Sequence, residues 1–145
     1  MVSDWAESKK RLRRMMTPEE LFDLLKYDIT TNKDGTTTYR FDGEIHRDED
    51  QPAVIDSSGS KFWYKNGLQH RDNDLPAIIG GLGSKYWLQN GNRHRDNDLP
   101  AVIYADGSKH WCQHGYLHRD NGLPAIIRAN GAKEWWVNGK LIKSE

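Results

Sequence analysis

The sequence predicts a mainly β fold: an antiparallel β-meander of tandem 24-residue repeats with two strands each, its first edge capped by one or two N-terminal α-helices. Three observations predict it. His-Arg-Asp recurs at residues 46, 70, 94 and 118, a step of 24 each time. Glycines keep the same step in two series, Gly35 to Gly131 and Gly43 to Gly139. So do Tyr39, Trp63, Trp87, Trp111 and Trp135, and so do Pro52, Pro76, Pro100 and Pro124, each followed by Ala. A fixed period of this length is the mark of a repeat architecture. Residues 1–34 do not repeat and read as a helical cap; residues 35–145 hold about 4.5 repeats.

In chain order, the first candidate helix runs from Asp4 to Met16, with Trp5, Leu12, Met15 and Met16 as its apolar residues. Lys9, Lys10, Arg11, Arg13 and Arg14 form a basic run on it. Such a run is either a solvated helix face or a contact with an anionic surface: nucleic acid, acidic protein or lipid. The next helix starts at Thr17-Pro18-Glu19-Glu20, with Thr as N-cap, Pro at the first helical position and Glu completing a capping box. Leu21, Phe22, Leu24 and Leu25 give it an apolar stripe. A meander has open edges, and a helix over the first one would protect it.

Residues 83–107, "GSKYWLQNGNRHRDNDLPAVIYADG", stand for one repeat. Lys85 to Leu88 carries strand-type residues. Asn90-Gly91 is a turn, because both residues tolerate positive φ. Asn92 to Asp98 reads as a polar connector. Pro100 suits the first position of a strand, since it has no N–H to donate. Ala101 to Tyr104 is the second strand, and Asp106-Gly107 turns the chain into the next copy. The whole chain should then give about ten strands.

Side chains alternate across a strand. The repeated Trp shares its face with Lys61, Lys85, Lys109 and Lys133. The opposite parity changes from copy to copy: Phe62 and Tyr64, Tyr86 and Leu88, His110 and Cys112, Glu134 and Trp136. One side is therefore constant architecture. The other either packs on itself or forms an apolar interaction surface, with Phe62, Tyr64, Tyr86, Leu88, His110, Cys112 and Trp136 as candidate contact residues.

In protein kinases an H-R-D triplet opens the catalytic loop. Here the four copies argue against that role, because phosphoryl transfer uses one constellation with separate phosphate- and metal-holding parts. Equivalent residues lie two strands apart, roughly 9–10 Å, too far for two histidines to share a metal ion. The expected role is structural. Triplets such as His70-Arg71-Asp72 and His94-Arg95-Asp96 pin the connector so that Pro76, Pro100 and Pro124 start the second strand in register. The alternative is an Arg stripe, Arg47, Arg71, Arg95 and Arg119, reading an acidic partner. His110, Cys112, His114 and His118 are close in sequence, but His118 belongs to the repeated triplet and His114 stands in the turn, ~13 Å from residue 110 along an extended strand. His110 and Cys112 share a face, and two ligands make a weak metal site. No metal or cofactor is expected.

The order strand, aromatic, Asn-Gly, connector, second strand, Asp-Gly resembles the MORN repeat family, in its bacterial and viral variant. "YWLQNGNRHRDNDLPAVIYADG" and "WCQHGYLHRDNGLPAIIRANG" carry the resemblance, which covers residues 35–143. The chain departs from the family pattern where the connector glycine survives only as Gly122, with Asp50, Asp74 and Asp98 in the other copies. The resemblance implies a twisted sheet and a binding or assembly role; the family includes antitoxins and phage proteins.

Lys and Arg total 21 and Asp and Glu total 21, a formal net charge of zero. That excludes a surface of one sign, although not a local patch. Cys112 is the only cysteine, which favours a reducing compartment. No apolar run reaches the ~18 residues of a membrane helix. The expectation is a cytoplasmic, non-enzymatic protein-binding module, in a host cell's cytoplasm if the source is a phage. It would inhibit an enzyme or toxin by occlusion, as an antitoxin, an immunity protein or a phage inhibitor of a defence enzyme does. Alternatives are a nucleic-acid binder using the basic helix and aromatic face, or a peripheral membrane protein. The sheet edge at residues 135–141 offers a homodimer contact.

Overall fold

A computed structural model describes residues 15–145. The basic run Lys9 to Arg14 and most of the helix expected over Asp4–Met16 lie outside the described residues. The helix expected at Thr17 is α1 (Pro18–Lys26). Its capping box is formed in both directions: Thr17 accepts from the Glu20 amide, and the Glu20 carboxylate accepts from the Thr17 amide. Among the described residues no helix is long and apolar enough to cross a membrane.

The rest is an antiparallel meander. Its main sheet begins with β1 (Asp28–Thr31), β2 (Thr37–Phe41), β4 (Val54–Ile55), β5 (Lys61–Phe62), β8 (Ile78–Ile79) and β9 (Lys85–Tyr86). It continues through β12 (Val102–Ile103), β13 (Lys109–His110), β16 (Ile126–Ile127), β17 (Lys133–Val137) and β18 (Lys140–Ser144). A twelfth strand, β3 (Glu44–Ile45), pairs with β2 beside this path. Asp28–Thr31, grouped with the helical cap on sequence grounds, is the first strand of the sheet.

Each repeat holds more strands than the two expected. The first strand breaks at its Trp. Lys61 and Phe62 belong to the main sheet, whereas β6 (Tyr64–Lys65) turns away and pairs with β7 (Leu68–Gln69). The same hairpin recurs as β10 (Leu88–Gln89) with β11 (Asn92–Arg93), and as β14 (Cys112–Gln113) with β15 (Tyr116–Leu117). Asn90 and Gly91 have φ of 49° and 82°, the two left-handed positions of a type I′ turn. That turn forces pairing of the residues immediately beside it, so the start of the polar connector becomes a strand. Trp87 is the pivot: its N–H donates to the Ala101 carbonyl in the main sheet (2.8 Å), while its carbonyl accepts from the His94 N–H (3.1 Å).

The core is narrow. Ala53, Ala77, Ala101 and Ala125 are wholly buried beside the indoles of Trp63, Trp87 and Trp111, with Val102 and Ile126 next to them. Strands of two residues cannot bury much area, so polar bonds between copies carry much of the order. Serine hydroxyls are one set. Ser60, Ser84 and Ser108 each accept the backbone N–H of the residue 21 positions on, Gly81, Ala105 and Ala129, at 3.0 Å.

Candidate functional site

The His-Arg-Asp triplets form a polar spine on the Trp side. The Arg95 guanidinium lies flat on the Trp87 ring, 3.8 Å from its centroid. Its Nε and Nη2 both donate to the Asp74 carboxylate of the preceding copy, at 2.8 Å each. Its Nη1 donates to the Pro100 carbonyl (3.3 Å). The Trp87 indole N–H donates to the backbone carbonyl of the same Asp74 (2.9 Å). Arg71 with Trp63 and Asp50, and Arg119 with Trp111 and Asp98, repeat this clamp. A planar fork that can stack and chelate at once is why Arg, not Lys, stands here.

The clamp also explains the departure at the connector glycine. Asp50, Asp74 and Asp98 sit at φ of 55°, 52° and 53°, a region Asp enters more readily than most residues. The hydrogen-bonded Arg71, Arg95 and Arg119 forks hold these three carboxyls below their ordinary range. Where the glycine survives, at Gly122, the residue 21 positions on is Lys143. It lies over Trp135 at 4.0 Å and pairs with Glu145 (2.7 Å) instead of with a carboxylate of the preceding connector.

The histidines join copies in the other direction. His94 Nδ1 accepts the backbone N–H of His114 in the next turn (3.2 Å), and His94 Nε2 bonds to Asp96 Oδ1 (3.0 Å). His46, His70 and His118 make the same two bonds. An N–H pointing at Nδ1 requires a lone pair there, which leaves Nε2 as the ring nitrogen that donates to the Asp carboxylate. Each Asp therefore bonds to its own His. Arg71, Arg95 and Arg119 each bond to the copy before.

At the first copy, α1 supplies what a preceding repeat would. Asp23 takes the Arg47 guanidinium, and Arg47 stacks on Tyr39 (3.8 Å). Lys26 pairs with Asp48 (2.6 Å), which also accepts from the Tyr27 hydroxyl (3.1 Å). Lys26, then His46, push the Asp48 carboxyl far below the usual range. The fit is imperfect: among the described residues, Arg47 Nε is buried without a partner. The cap thus works through the first connector, while β1 forms the outermost strand beside it.

The opposite side of the ribbon carries the residues that change. Strand register places Phe62, Tyr86, His110 and Glu134 at equivalent points, opposite Ile78, Val102 and Ile126. Tyr104 packs edge-on against Tyr86 (6.0 Å) and His110 (4.9 Å). Burial, then Arg128 and Arg93, push the His110 imidazole down. Arg128 pairs with Glu134, which also accepts from the Trp136 indole (2.9 Å). Tyr64 accepts from Gln69 across its hairpin (3.1 Å).

The expected contact residues divide. Phe62, Tyr64, Tyr86, His110 and Trp136 are half-buried on this face. Leu88 and Cys112 are only 6% and 4% exposed and form its floor, so they offer a partner little area. Burial raises the Cys112 thiol above its ordinary value. Tyr104, Arg128 and Arg93 belong to the face although the sequence reading passed over them. The signal was present: residues 56, 80, 104 and 128 read Asp, Gly, Tyr and Arg, different in every copy. Among the described residues no group of three or more His, Cys, Asp or Glu is placed to hold a metal ion. No family model matches the chain, and no curated protein matches it.

Proposed function

We propose that this protein is a non-enzymatic, protein-binding repeat module of MORN-like type that inhibits an enzyme or toxin by covering it. One observation carries the reading. The repeated His-Arg-Asp triplets, Trp residues and connector Asp residues are occupied in holding copies together, and the residues that differ along the strands share one face. The triplet side chains are bonded to neighbours, which leaves them poorly placed to work as acids, bases or nucleophiles. A face of Phe62, Tyr64, Tyr86, Tyr104 and Trp136 has the aromatic character that dominates protein-binding hot spots. The test is affinity purification from a host lysate with wild type and with Tyr86→Ala/Tyr104→Ala. A stoichiometric protein that wild type retains and the double variant loses is the expected result. Recovery of none with wild type, or equal recovery by both, counts against the proposal.

A second reading, nucleic-acid binding, draws on the Trp-side face of the main sheet. Exposed Lys61, Lys85, Lys109 and Lys133 alternate there with Ile55, Ile79, Ile103 and Ile127. Among the described residues these four lysines make no ion pair. Binding through them would weaken steeply with salt. If no oligonucleotide shifts at about 50 mM salt, where counterion release favours binding most, this reading is discarded.

A further inference from the structure

Position 80 is a glycine where the equivalent residues are Asp56, Tyr104 and Arg128. The backbone does not require one. φ at Gly80 is not left-handed, and a Cβ built there meets nothing closer than 3.6 Å. Its neighbour differs: a Cβ on Gly81 would run into the Ser58 carbonyl oxygen. What Gly80 supplies is space. One repeat further on, the Tyr104 ring fills the corresponding volume between Tyr86 and His110. Two repeats on, the Arg128–Glu134 pair fills it. At Gly80 the space stays open as a groove of about 550 Å³, with Phe62, Ile78 and Tyr86 as its apolar walls and Leu88 beneath.

Arg93 stands at the rim of this groove, exposed, 5.7 Å from the Tyr86 ring. Among the described residues it makes no ion pair, unlike Arg71, Arg95 and Arg119. Gln69, on the neighbouring hairpin, lines the same rim. An open groove with apolar walls, beside a guanidinium that has no carboxylate partner among the described residues, suits a hydrophobic side chain adjacent to a carboxylate.

We propose that the notch at Gly80 receives one apolar anchor residue of a protein partner, next to an Asp or Glu that pairs with Arg93. This rests on the variable face being a protein-binding surface. The test pans a phage-displayed random peptide library on the immobilised full-length chain and titrates the enriched peptides against variants. Enriched peptides should carry an aromatic or branched aliphatic residue within two positions of an acid. Gly80→Tyr, which installs the side chain of the next copy, should weaken them about 30-fold or more, the scale of a lost hot spot. Arg93→Glu should weaken them about 10-fold or more by repelling the acid. Gly80→Ala, a single Cβ in ordinary contact distance, should fall between wild type and Gly80→Tyr; it serves as the test if the larger variant does not fold. Peptides that bind Gly80→Tyr or Gly80→Ala as tightly as wild type, yet are lost in Tyr104→Ala, overturn the notch and leave the binding face standing. Peptides indifferent to Gly80, Arg93 and Tyr104 alike, or no enrichment, overturn both.

Discussion

Arg93 and Arg95 stand two residues apart and lead different lives. Arg95 is 13% exposed, stacked on an indole, forked onto a carboxylate and bonded to a carbonyl. Arg93 lies on the other side of the ribbon, exposed, with no ion pair among the described residues. The first recurs as Arg47, Arg71 and Arg119; the second is Gln69 in the copy before and Leu117 in the copy after. One side chain type serves construction where the sequence repeats, and is free to serve recognition where it does not. With strands two residues long, the spine substitutes for the core that a longer sheet would bury.

The largest break in this comparison is Trp87→Ala. It removes the buried plate under Arg95 and the indole bond to Asp74, and should cost about 3–5 kcal/mol in a denaturant titration. Lower pH attacks the spine more gently. Asp50, Asp74 and Asp98 have folded carboxyl pKa values depressed by their Arg partners, so they bind fewer protons than in the unfolded chain. Their contribution is present above the unfolded value of about 3.9 and is lost as pH falls through the lower folded values. Because these carboxylates are about half exposed, solvent screening keeps each share small. Asp74→Asn should therefore be less stable than wild type at pH 7, with the gap closing below about pH 4. A gap that is constant with pH would mean that the clamp does not depend on charge. The smallest effect belongs to the face. Trp136→Ala, a half-buried ring on the variable side, should cost about 1 kcal/mol or less. A loss equal to that of Trp87→Ala would show the two sides to be assigned wrongly.

Much of this was legible before any coordinates. The period, the antiparallel order, the capping box and the Trp side all follow from spacing and local chemistry. What was hidden depends on register. Asp74 lies 21 residues before Arg95, and no local signal says that a carboxylate in one connector reaches the guanidinium of the next. The break at Trp87 was hidden because Asn92 and Arg93 have weak strand propensity; the type I′ turn overrides it. Leu88 and Cys112 share parity with Tyr86 and His110, yet the bend at the Trp tucks them inward. Alternation holds only while a strand stays straight.

The most direct measurement is a paired urea titration of Arg95→Ala and Arg93→Ala. Arg95→Ala uncovers Trp87 and leaves the Pro100 carbonyl and the Asp74 carboxylate without their partner, so it should lower stability by about 2–3 kcal/mol. Arg93→Ala should stay within about 0.5 kcal/mol of wild type. Equal losses, or a larger loss at Arg93, would contradict the division between a spine that holds the copies and a face that is free to bind.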